Sequence, residues 1–82
     1  MAQMDKLIAR LKSRPKDFTW EELRRLLKGL GFQEIQGSGS RVKFFHQEKN
    51  CVLQLHRPHP APTLKMYAIK EALELLLHEK LI

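Results

Sequence analysis

Hydrophobic and polar positions follow two different periods along this chain, and the changes of period mark its elements. Met4, Leu7, Ile8 and Leu11 recur at helical spacing, and the stretch stops before Pro15, whose ring disfavours helix in the residue ahead of it. This predicts a short first helix. Thr19 followed three residues on by Glu22 is the spacing of a capping box, in which each side chain satisfies the other residue's backbone N–H. A second helix is predicted from there to about Leu30. Its apolar stripe is Trp20, Leu23, Leu26, Leu27 and Leu30, with Glu21, Arg24, Arg25 and Lys28 largely opposite, and Gly29 and Gly31 weaken its far end. A single stripe on a capped helix belongs to a core rather than to a partner groove.

Past Gly31 the period shortens to two. A short strand is predicted from Phe32 to about Gln36, followed by the flexible run Gly37, Ser38, Gly39 and Ser40. In Arg41 to His46, Val42 and Phe44 alternate with Arg41, Lys43 and Phe45. In Cys51 to His56, Cys51, Leu53 and Leu55 alternate with Val52, Gln54 and His56. Gln47 to Asn50 form a polar hairpin connection; pairing across it sets Phe44 opposite Leu53, Val42 opposite Leu55 and Arg41 opposite His56. Arg57 to Pro62 reads RPHPAP and should run extended over the surface as a loop. A last helix begins near Leu64, with Ile69, Ala72, Leu73, Leu76 and Leu77 inward and Lys70, Glu71, Glu74 and His78 outward.

The expected architecture is α+β, in the order α-α-β-β-β-α: a three-stranded antiparallel sheet with helices on one face and the other face open. Eighty-two residues suit one domain, residues 1–82, in which 1–14 form an amino-terminal helical extension. No apolar run approaches the roughly 20 residues that span a bilayer, and Met1 to Arg14 lacks the continuous apolar region of a secretory signal. One cysteine, Cys51, cannot form an internal disulfide, so a soluble protein of the reducing cytoplasm is expected.

Charge adds direction to this picture. The formal net charge is +6, and between Gly37 and Lys65 the cations Arg41, Lys43, Lys49, Arg57 and Lys65 face Glu48 alone, with His46, His56 and His59 in addition. A basic surface attracts phosphates or an acidic partner protein, and it also serves plain solubility. On the predicted register the open face carries Arg41, Lys43, Phe45, Val52, Gln54 and His56, bordered by the glycine–serine loop and the proline loop. Arg and Lys hold phosphate oxygens, and Phe45 can stack on an unpaired base. The plainer reading is a solvated surface whose charges oppose aggregation.

Gly31 and Phe32, then Gly39, Ser40, Arg41, Val42, Lys43 and Phe44, then His56, Arg57, Pro58, His59 and Pro60, followed by a lysine and a closing helix, resemble the HicA family of toxins. The resemblance runs from about Trp20 to Leu76. It implies a fold similar to the double-stranded RNA-binding domain, cleavage of messenger RNA without metal or other cofactor, and neutralisation by a cognate antitoxin, HicB. The family's catalytic histidine follows the Gly-Ser turn at the start of the second strand, where this chain has Ser40 or Arg41.

Cleavage of RNA by its own 2′-hydroxyl needs a base, positive charge for the crowded phosphate and an acid for the leaving oxygen. Arg41 supplies only charge, because it does not give up its proton near neutrality, and Ser40 is a poor base. His56, opposite Arg41, is the candidate replacement; the alternative is a half-exposed strand histidine bonded to the proline loop. His59 matches the family's later histidine and is a second candidate for proton transfer or phosphate binding, whereas His46 ends a strand. Lys43, Phe45, Gln54, Arg57 and Lys65 are the candidate RNA contacts. Metal binding is not expected from His56 and His59 alone, and a Ser40 nucleophile lacks an acidic orienter.

Two functions therefore stand: an endoribonuclease toxin using His56 with Arg41, or a non-catalytic RNA-binding or antitoxin-binding domain of the same fold. A purely structural or dimerising domain is a third, distinguished by showing no salt-dependent RNA binding.

Overall fold

The computed structural model describes residues 2–58 and 61–82. The capping box forms: Thr19 Oγ1 accepts from the Glu22 N–H at 3.2 Å, and Glu22 Oε1 accepts from the Thr19 N–H at 3.1 Å. It opens α2 (Trp20–Gly29), which follows α1 (Ala2–Lys12). Next come β1 (Phe32–Gln36), β2 (Arg41–His46), β3 (Cys51–His56) and α3 (Met66–His78). The strands lie in the order β1-β2-β3 and pair antiparallel. This α-α-β-β-β-α order is that of the expected α+β fold, similar to the double-stranded RNA-binding domain.

Alternation along the strands decides which face is covered. Phe32, Val42, Phe44, Leu53 and Leu55 are buried beneath Trp20, Leu23, Leu26 and Leu27 of α2 and Ala68, Ile69, Ala72, Leu73 and Leu76 of α3. Trp20 packs on Phe44 with ring centroids 5.7 Å apart and planes tilted by 53°. Helix α1 packs against α2 and α3, buries Leu11 completely, and sets Arg10 Nε 2.8 Å from Glu22 Oε2. Arg10 also lies over the ring of buried Phe18, 5.6 Å from its centroid. Truncating a fully buried leucine such as Leu11 typically costs roughly 2–5 kcal/mol, so α1 is part of the core.

Two details differ from the sequence expectation. Helix α3 starts at Met66 rather than near Leu64, because the chain before it is held extended: Thr63 bridges to Thr19, and the Leu64 N–H donates to the Phe18 carbonyl at 2.8 Å. Leu64 is buried from that extended segment. Leu77, expected inward, is 47% exposed, because the stripe that meets the sheet is centred on Ala68, Ile69, Ala72, Leu73 and Leu76. One residue past Leu76 is a turn of about 100° away from that stripe.

Candidate nucleic-acid interface

The register is the one the alternation predicts. Arg41 faces His56, Lys43 faces Gln54 and Phe45 faces Val52 across β2 and β3, all on the face away from the helices. On the β1 side Ile35 pairs with Lys43 and Gln33 with Phe45. The open face is therefore not uniformly polar: Ile35 and Val52 are about half exposed, and Phe45 is half-buried between its neighbours.

Local geometry brings Arg41 and His56 close. The Arg57 N–H donates to the Ser40 carbonyl at 2.8 Å, which makes Ser40 and Arg57 the hydrogen-bonded pair at this end of the ladder. The next pair inward, Arg41 and His56, is then a non-hydrogen-bonded pair, the kind whose Cα atoms approach to about 4.5 Å with side chains adjacent. On the other flank of Arg41 lies Gly37, whose N–H donates to the Arg41 carbonyl at 2.9 Å. A Cβ there would stand 3.1 Å from that carbonyl oxygen and 3.2 Å from the Arg41 Cβ, so glycine permits the close approach.

Some of the helix cations are paired: Arg10 with Glu22 and Asp17, and Arg24 and Lys28 with Glu34. Burial pushes the Glu34 carboxyl up, but hydrogen bonds from Arg24 and Lys28 outweigh it and hold the group below its usual value. Among the described residues no ion pair engages Arg41, Lys43 or Lys65. Their charge is available to an external anion.

Beside His56 the sheet edge and the start of α3 line a half-open cleft of about 490 Å³, whose walls include Ser40, His56, Arg57, Thr63, Lys65 and Tyr67. Lys65 immediately precedes α3, whose first turn carries no acidic residue, so the helix N-terminus adds partial positive charge at the rim. Of the candidates read from the sequence, Ser40, His56, Arg57 and Lys65 converge here. Arg41 adjoins through His56, while Lys43, Phe45 and Gln54 extend along the open face. His59 lies outside the described residues. Arg57 also donates from Nη2 to Gln36 Oε1 at 3.0 Å, tying the ends of β1 and β3 together.

His46 ends β2, as expected, and is 4% exposed on the covered face. Its Nδ1 accepts from the Lys49 N–H at 3.2 Å, so Nε2 carries the proton and donates to the Leu30 carbonyl at 2.9 Å. The ring also meets Phe32 edge-on. Both nitrogens are committed to the fold, which removes His46 from the site. Cys51 faces the covered side, and burial, with the Glu79 charge adding to it, pushes its thiol up and away from nucleophilic duty. Among the described residues no group of three His, Cys, Asp or Glu side chains is placed to hold a metal ion.

Sequence reasoning missed Tyr67, which is 58% exposed. The signal was its position outside the α3 stripe, two residues after Lys65. What the pattern did not contain was the cavity wall it forms.

A sheet covered by helices on one face and presenting unpaired cations on the other defines a small α+β domain of the double-stranded RNA-binding type. The family model described as "HicA toxin of bacterial toxin-antitoxin" matches residues 20–76, from the first residue of α2 through Leu76 in α3, and the chain belongs to this HicA toxin family. It is thus a toxin of the toxin–antitoxin kind, for which an antitoxin is the partner. Neither the curated proteins nor the solved structures yield a match. No helix among the described residues is long and apolar enough to cross a membrane.

Proposed function

We propose that this chain is an endoribonuclease toxin that cleaves messenger RNA in the cytoplasm without metal, and that a HicB-like antitoxin neutralises it by covering the open face. The observation carrying this reading is the direct opposition of Arg41 and His56 on that face. His56 takes the proton of a ribose 2′-hydroxyl, and the oxygen attacks the adjacent phosphorus. The bond to the 5′-oxygen breaks, leaving a 2′,3′-cyclic phosphate and a 5′-hydroxyl. Arg41 offsets the charge that accumulates on the phosphate. His59, the second imidazole of the same segment, is the candidate acid for the 5′-oxygen. Ser40, Lys43, Phe45, Gln54, Arg57 and Lys65 position the strand.

The test is cleavage of a long unstructured RNA with chelator present. Wild type is expected to cut. His56→Ala should lose about 10²-fold or more, the usual contribution of general base catalysis, while retaining binding. Arg41→Ala should weaken both cutting and binding. Removing one cation that neutralises a phosphate should also flatten the salt dependence by roughly 0.7 in log–log slope for a single strand. An unchanged rate in His56→Ala would refute the assignment.

A second reading is favoured by Ser40 or Arg41 standing at the family's histidine position: a module that binds RNA or antitoxin without cutting. Salt-sensitive binding with no cleavage by wild type would establish it.

A further inference from the structure

We infer that Tyr67 is a stacking platform that draws one unpaired base of a single-stranded RNA into the cavity between the end of β3 and the start of α3. This rests on the RNA-directed function proposed above and adds to it the form of the substrate and the place of one base.

Three observations carry it. First, Tyr67 is the most exposed large apolar or aromatic side chain of the described residues, at 58%, although it sits on a helix whose stripe is otherwise well buried. Its ring contributes little to the core and is open to a ligand. Second, the cavity it walls, about 490 Å³, falls within the range of small-molecule sites, roughly 300–1,000 Å³, and is large enough for a nucleotide. Third, the other walls supply what the rest of a nucleotide needs. Lys65 and Arg57 offer charge to phosphate, and His56 stands at the same rim.

Distance decides between Tyr67 and Phe45 as the platform beside the reacting phosphate. Phe45 is four residues along β2 from Arg41, roughly 13 Å at the rise of an extended strand, and it is half-buried. Tyr67 shares a cavity with His56. A base on Tyr67 therefore belongs to the nucleotide next to the one His56 would deprotonate, and a base on Phe45 does not.

The geometry also selects single strands. In an A-form duplex the bases remain stacked and paired, and proteins read the backbone and the 2′-hydroxyls by shape. An exposed ring at the wall of a concave site has nothing to stack on in such a helix. An unpaired base turned out of its strand fits it, and base–aromatic stacking of this kind does not depend on sequence.

The experiment measures anisotropy of a labelled 2′-O-methyl oligoribonucleotide, which lacks the attacking hydroxyl, as a single strand and as a duplex. Wild type is compared with Tyr67→Ala and Tyr67→Phe, with circular dichroism confirming that both fold. Tyr67→Ala is expected to weaken single-strand binding roughly tenfold and to leave duplex binding unchanged. Tyr67→Phe should stay within about twofold of wild type.

Unchanged single-strand affinity in Tyr67→Ala, alongside wild-type binding that weakens with salt, would overturn the platform and leave the proposed function standing. So would equal loss for strand and duplex, a Tyr67→Phe defect as deep as that of Tyr67→Ala, or a defect confined to antitoxin binding. If wild type binds no RNA of either form, the proposed function fails, and the platform with it.

Discussion

Arg41 and His56 are directly opposed on β2 and β3, side by side on the sheet face that the helices leave uncovered. One brings a permanent charge and the other an imidazole. Under the proposed function, the pair divides between two strands the positive charge and the proton acceptor that cleavage of an RNA backbone requires.

Arg41→His tests that division. The variant places an imidazole directly opposite His56, at one of the two positions, 40 or 41, that correspond to the family's histidine, and so supplies a base and an acid together. The loss of permanent charge works against the gain. Cleavage of unstructured RNA is expected to rise about tenfold, less than the roughly 10²–10⁴-fold typical of one acid–base group because the lost charge offsets part of the gain. A rate equal to or below wild type would show that position 41 is needed for its charge alone.

Glu34 gives the fold an acid-sensitive tie. Its side chain is 7% exposed and holds Arg24 and Lys28 together, and these partners keep its carboxyl below the usual 4.5 despite burial. A folded-state value below the unfolded one means that the stabilisation is fully present above the unfolded value and lost as pH falls through the folded one. Glu34→Gln should therefore be less stable than wild type at neutral pH, and the gap should close as pH falls below about 4.5. Urea titrations at neutral pH and near pH 3 check this; a gap of constant size would mean that the charge contributes nothing.

Gly31 is required twice over. Its φ of +107° lies where side chains are strained, and a Cβ there would stand 3.0 Å from Nε2 of His46, the atom that donates to Leu30. Gly31→Ala should cost about 1–3 kcal/mol, read as a lower thermal midpoint, with RNA binding intact because the open face is not involved. A midpoint within a degree of wild type would contradict the role given to His46.

Local rules along the chain are enough to write much of this protein. The Thr19 and Glu22 spacing places α2, because a cap depends only on residues three apart. The alternation in Arg41 to His46 and Cys51 to His56, joined by a four-residue turn, sets the β2–β3 register, since a slip of one residue would expose Val42, Phe44, Leu53 and Leu55. That register alone puts Arg41 opposite His56. Packing between distant segments decides the rest. Leu64 is buried because Phe18 and Thr19 bind the extended chain beside it, and Leu77 is exposed because the sheet meets α3 along a neighbouring stripe. His46 is structural because the end of α2 presents the Leu30 carbonyl to it. Tyr67 becomes a cavity wall only when the start of α3 is set beside Ser40 and His56. Such meetings depend on how helices lie across a sheet, and the period of a sequence records which face of an element is apolar but not what that face, or its exposed flank, will stand beside.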